Sequence, residues 1–361
     1  MQQDSKTFLY SLLKTPSPSG FEQGIQKVVK KRMASISDEV SVDVHGNLTA
    51  AYNPDGKVRV MLAGHCDQIG MMVTHIDEAG FVYFNPIGGI DPSVLLGIVV
   101  LIHTRSGIVS GVIGHKPVHL IPAEERGKKI ELSKLWIDLG VESGSKAKQL
   151  VSVGDAITFS LGVTELSQHS LAAPGCDDRV GVFVVMEALR LVAKEVKQKG
   201  LKKKFPVALF AVSTVQEEIG LRGAKTSCYE IDPLVGIAVD VTHASDNPGA
   251  EAKKIGTVKL GAGPTIARGP NINPVLENLL VATAKKKKIN YQTLSAPGAT
   301  GTDANVMQIS RSGVASALIG IPNRYMHTPV EMVDLRDLEA AAKLIAQTVL
   351  SITSRMSFIP A

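Results

Sequence analysis

Two adjacent carboxylates, Glu217 and Glu218, close an apolar run in the stretch VALFAVSTVQEEIG, residues 207–220. Like charges so close resist joint ionisation, so the pair belongs either on a solvated helix start, where the dipole favours acids, or beside a cation. In the second case one carboxylate binds a metal, and its neighbour faces the water on that metal as a general base. Upstream, GHCDQIG sets His65 and Asp67 two residues apart, on one side of an extended chain. There an imidazole ligand would lie beside a carboxylate able to orient the ligands or restrain the base. Asp177 and Asp178 form a second acid pair, directly before an apolar helical pattern. One of them fits a bridge between two cations while the other caps the helix or holds neighbouring backbone or Arg179, and the sequence does not separate them. Asp240 ends an apolar run in AVDVTHA, where strand propensity disfavours aspartate, and His327 lies in YMHTPVE before the last helix.

Each of these signals alone has a structural explanation, as a cap, a strand-end histidine or a solvated acid. Their shared position does not. His65, Asp177, Glu217 and Glu218, Asp240 and His327 all fall at a strand's carboxyl end or at a helix start after a loop, the rim where an open α/β sheet collects ligands. Imidazole and carboxylate donors without a thiolate suit zinc, cobalt or manganese in a hydrolytic two-metal site. A single metal would leave two carboxylates unexplained.

Positioning them requires alternating strands and helices. The pattern predicts helices over residues 4–13 and 21–33, the second with Ser19 and Glu22 at capping-box spacing. Strands follow over 39–44, 48–52 and 58–62, then 207–212, 235–241 and 315–321. Helices are expected over 180–197, 274–287 and 335–352. Between residues 71 and 166 the texture changes to short β-rich runs punctuated by glycine, with no convincing long helix. This divides the chain into a catalytic domain of residues 1–70 and 167–361 and an inserted all-β module of 71–166. His103, His115 and His119 fall inside the insertion and read as structural or surface residues.

Composition narrows the function classes. At 361 residues, 44% apolar and 20% charged, the chain can bury a sizeable core. Its longest apolar run, residues 94–102, is too short to span a bilayer, so no membrane partner is expected. The runs Lys202 to Lys204 and Lys285 to Lys288 lack interleaved aromatics and read as solvated faces, so no nucleic-acid partner is expected. Cys66, Cys176 and Cys228 form no CxxC and read as reduced thiols of a cytoplasmic protein. With one Trp and 4% aromatics, the chain offers little for a glycan platform.

Taken together, GHCDQIG, CDDRVG, QEEIG, AVDVTHA and YMHTPVE resemble the tetrahedral aminopeptidases, metallopeptidase family forty-two, of glutamyl or deblocking type. The resemblance covers nearly the whole chain, the insertion included. It implies a zinc aminopeptidase-like fold, a mixed sheet sandwiched by helices, with the all-β insertion as a dimerisation domain. It also implies that His65 and Asp240 hold one metal, Glu218 and His327 hold the other, and Asp177 bridges them. Glu217 would be the general base and Asp67 the acid behind it. Two divalent ions per subunit follow, zinc or cobalt, with manganese as an alternative. A bridging water would attack the first peptide bond of a short peptide, and twelve subunits would enclose a tetrahedral chamber. Gln68 stands where the family pattern has Glu, which removes a charge beside the site and bears on metal preference or pH optimum, not on the ligand set.

Overall fold

A computed structural model describes residues 1–125 and 127–360. Eight strands form the main sheet, in the order Glu39–Val42, Leu48–Tyr52, Val207–Thr214, Val58–His65, Val235–His243, Ala315–Asn323, Thr265–Arg268 and Gln292–Ser295. The four central strands, from Val207–Thr214 to Ala315–Asn323, run parallel. Parallel strands covered on both faces need continuous apolar sequence, and every residue of Val207–Thr214 is buried. Register then fixes the rim: Thr214 pairs with His65, Ala238 with Ala63, and Asp240 with Gly320.

Helices cover the sheet on both faces. Cys176–Gln198 lies across the central strands, packed in turn by Gln3–Leu13 and Leu335–Ser351. Its stripe of Val182, Val185, Met186, Leu189 and Val192 is buried, and each such side chain contributes roughly 1.5–3 kcal/mol. Two glycines let this helix reach the strand that carries His65. A Cβ on Gly64 would stand 2.5 Å from the Gly181 carbonyl carbon, and one on Gly181 would meet the Asp178 carboxylate at 2.0 Å. Without both, the Asp177–Asp178 turn could not lie against His65.

Six strands close a separate barrel, in the order Gly70–Ile76, Val82–Ile87, Trp136–Asp138, Gly107–Gly114, Val99–Thr104 and Ala156–Phe159. Closure leaves no unpaired edge, and the barrel has its own core around Met71, Phe84, Ile102, Ile137 and Ile157. A three-stranded antiparallel sheet of Thr164–Glu165, Ser170–Ala173 and Glu331–Asp334 sets Ala173 opposite Glu331.

Several expectations need correction. The strand over 58–62 continues to His65, because Gly64 is a packing contact and not a break. The strand over 235–241 runs on to His243, so Asp240 lies inside it, held by pairing with Ala315–Asn323. The strand over 39–44 ends at Val42, where the Asp43 carboxylate accepts three backbone N–H bonds, from His45, Gly46 and Asn47. The capping box of Ser19 and Glu22 does not form. Glu22 is itself the N-cap and accepts from the Gly20 N–H, while the Ser19 hydroxyl donates to Asp67. Among the described residues the barrel segment also holds one short α-helix, Gly144–Leu150, started by the Ser143 side chain accepting from the Lys146 N–H.

Candidate active site

The parallel register delivers the side chains to one rim. His65 ends its strand beside Thr214, and three residues beyond Thr214 the chain presents Glu217 and Glu218. Asp240 comes from the next strand, Asp177 from the start of Cys176–Gln198, and His327 from the turn after Ala315–Asn323. All the residues singled out from the sequence meet here. His65 Nε2 lies 3.1 Å from Asp177 Oδ1, 3.7 Å from Glu217 Oε2 and 3.9 Å from Asp240 Oδ1. His327 Nε2 lies 3.3 Å from Asp177 Oδ2 and 3.6 Å from Glu218 Oε2. Asp177 therefore stands between two imidazoles, one oxygen toward each. Ligand atoms set tetrahedrally at about 2.0–2.1 Å from one ion stand about 3.3–3.4 Å apart, which is the spacing scale of both clusters.

The second aspartate of the pair is engaged differently. Asp178 Oδ2 accepts the His65 N–H at 3.2 Å and Oδ1 accepts the Gly181 N–H at 3.1 Å. Asp178 is close enough to His65 and Asp240 to form a three-donor group with them, yet both its oxygens already have backbone partners. The sequence offered no way to make this distinction. His65 Nδ1 faces the Asp67 carbonyl at 3.1 Å; a carbonyl only accepts, so Nδ1 carries a proton and Nε2 is the ring atom left to meet the carboxylates or a cation.

Behind these groups two buried carboxylates span pairs of backbone amides. Asp67 accepts the Glu217 N–H at 3.0 Å and the Glu218 N–H at 3.2 Å, and its Oδ2 also takes the Ser19 hydroxyl at 2.7 Å. Glu331 accepts the Asp177 N–H at 2.8 Å and the His327 N–H at 2.9 Å. Ser19, Glu331 and Asp303, whose Oδ2 accepts from the Thr214 hydroxyl, went unrecognised in the sequence. The available signal for Glu331 was an acid beginning a short run with two apolar residues, Glu331–Asp334, just after His327; for Ser19 there was none.

So many carboxyl groups cannot all be ionised together without a partner. Burial, reinforced by neighbouring acids, holds Asp178, Glu218 and Asp240 well above the ordinary carboxylate range. Burial, opposed by His65 and reinforced by Asp240 and Asp303, pushes Glu217 up to about 9. Burial works to lower His65, yet Glu217 and Asp177 hold it well above its ordinary value. Burial works to raise Asp177, but His327 and His65 together keep it below the ordinary range. Glu218 Oε1 is buried with no hydrogen-bond partner. A pocket crowded with carboxyl groups, with an orphaned oxygen on Glu218 and two imidazoles, fits a pair of divalent cations by donor chemistry.

Over these groups opens a cavity of about 710 Å³, walled by the sheet end at Thr265, Ala267 and Gly320 and by the loop from Ser295 to Thr302. A larger cavity of about 870 Å³ lies between the helices, lined by Glu187, Arg190 and Arg336 among others, and contains none of the groups described.

The family model of the M42 glutamyl aminopeptidases matches residues 46–344. A lysyl aminopeptidase of Pyrococcus furiosus is 39% identical over 352 residues, covering 97% of each chain. Among solved structures, a TET aminopeptidase from the marine sediment archaeon Thaumarchaeota archaeon SCGC AB-539-E09 superposes with a TM-score of 0.91 at 33% identity, covering 97% of each chain. The TET1 peptidase of Pyrococcus horikoshii, described as able to assemble into a tetrahedron or a large octahedral shell, gives 0.84 at 30% identity, covering 96% of this chain and 100% of its own. The chain belongs to the M42 glutamyl aminopeptidase family and is an aminopeptidase, a peptide hydrolase.

Proposed function

We propose that this aminopeptidase removes N-terminal residues from short peptides with two divalent cations, zinc or cobalt, with manganese as an alternative. The reading is carried by Asp177, whose two oxygens face His65 and His327 separately. His65 and Asp240 would hold one cation, Glu218 and His327 the other, and Asp177 both. When bound, such cations lower the pKa of a water and polarise a carbonyl oxygen. Glu217 is the proton carrier: it takes a proton at its carboxylate from the attacking water and delivers it to the leaving amine. Asp67 keeps that carboxylate in place by fixing the Glu217 and Glu218 backbone, and the surrounding acids attract the substrate's free α-ammonium group. Glu217→Gln should lower turnover of amino-acyl anilides by about 10²–10⁴-fold while metal content stays at wild-type level; turnover kept at wild-type level would contradict the assignment.

Residues 1–70 and 167–361 form the catalytic domain in this reading, and 71–166 the dimerisation domain. The barrel's exposed Val99, Ile108 and Val112 supply apolar surface for pairing, and dimers build the tetrahedral dodecamer. Sedimentation velocity of the purified chain distinguishes dodecamer, dimer and monomer. Among the described residues no helix is long and apolar enough to cross a membrane. All three cysteines are free and buried, consistent with a place in the cytoplasm.

A further inference from the structure

Glu331 is a fully buried carboxylate with no place in the chemistry derived so far. It opens the strand Glu331–Asp334, opposite Ala173 and therefore just upstream of the acid pair. Each of its oxygens has one short bond to backbone: Oε2 accepts the Asp177 N–H at 2.8 Å, and Oε1 accepts the His327 N–H at 2.9 Å. These amides belong to segments 150 residues apart in sequence. The arrangement matches Asp67, which holds the Glu217 and Glu218 amides across the site.

The two segments need such a tie. His327 has φ of +60° and Tyr325 has φ of +64°, a left-handed region that costs a non-glycine residue roughly 1–2 kcal/mol. Arg179, also buried, is not committed to Glu331. It donates to the carbonyls of Gly175, Leu12, Leu13 and Thr15, as well as to Pro174. The Glu331 carboxylate is thus the direct link between the backbone of the turn carrying one imidazole and that of the turn carrying the shared aspartate.

We propose that Glu331 is a positioning residue. By spanning the Asp177 and His327 amides it holds those side chains in one frame, and the cation position made by Asp177, Glu218 and His327 depends on it. This rests on the two-cation reading above and adds an asymmetry: Glu331 holds two ligands of the cation at Glu218, Asp177 and His327, but only Asp177 among those of the cation at His65 and Asp240, so altering it weakens the first position more. Groups that orient metal ligands are typically worth about 10–100-fold in affinity.

The test is zinc titration of the metal-stripped full-length protein by calorimetry, with metal content measured after dialysis. Wild type should take two ions. Glu331→Gln should bind one ion with affinity closer to wild type and the second roughly 10–100-fold more weakly, leaving about one per chain after dialysis. Glu331→Asp keeps the charge but is one methylene too short to span both amides. It should show the same single-position loss, and it serves in place of Glu331→Gln should that variant misfold. Two ions bound with wild-type affinity in Glu331→Asp would mean that charge and not span matters, and would overturn the proposal. So would a lowered melting temperature of the stripped variants with both affinities intact. Wild type holding two ions without peptidase turnover would contradict the proposed reaction and leave the Glu331 comparison fully readable; wild type holding none would contradict both.

Discussion

The sheet rim and the barrel solve opposite problems with the same chain. At the rim, Asp67, Asp177, Asp178, Glu218, Asp240, Asp303 and Glu331 crowd round His65 and His327, most of them fully buried. In the barrel the core is apolar throughout, and among the described residues of its strands the single buried polar side chain is Thr158, paired with His103 Nε2 at 2.7 Å. Burying unpaired carboxylates is costly, whereas burying Ile and Val is favourable, so the barrel needs no partner for its core and the rim, in the proposed two-cation reading, is completed by cations. Chemistry and architecture should therefore come apart under mutation.

The sharpest separation is expected at Glu217. Glu217→Gln should lower kcat by about 10²–10⁴-fold with unchanged metal content and melting temperature, measured by anilide turnover and elemental analysis. Ile102→Ala in the barrel core should do the reverse, costing roughly 2–5 kcal/mol in denaturant unfolding while each folded chain keeps its metal and its kcat. Loss of metal in that variant would erase the distinction between the two regions. Gly64→Ala tests the contact through which helix and strand bring Asp177 to His65. Its Cβ meets backbone, so about 1–3 kcal/mol of destabilisation should come with weakened metal binding. The smallest effect belongs to Ser19→Ala, which removes one of three bonds to Asp67. About a tenfold fall in kcat is expected, with little change in KM or in stability.

The sequence was most readable where one signal dominated. Unbroken apolar runs marked the central strands, glycine punctuation marked the barrel segment, and acids and histidines at strand ends marked the rim. It was least readable where partners come from far along the chain. Ser19 looked like a helix cap because Glu22 lies three residues on, and only the fold shows its hydroxyl turned to Asp67. Asp177 and Asp178 are identical in type and adjacent, so their different surroundings are a property of packing against Gly64 and Gly181. Glu331 has one local partner, the His327 amide, but its other amide, that of Asp177, lies far along the chain and only the fold brings it near.

The most direct test of the central claim is a crystal structure of the zinc-loaded protein with anomalous scattering at the zinc edge. Two peaks per chain are predicted, one among His65, Asp177 and Asp240 and the other among Asp177, Glu218 and His327. A single peak, or two that do not share Asp177, would contradict the account.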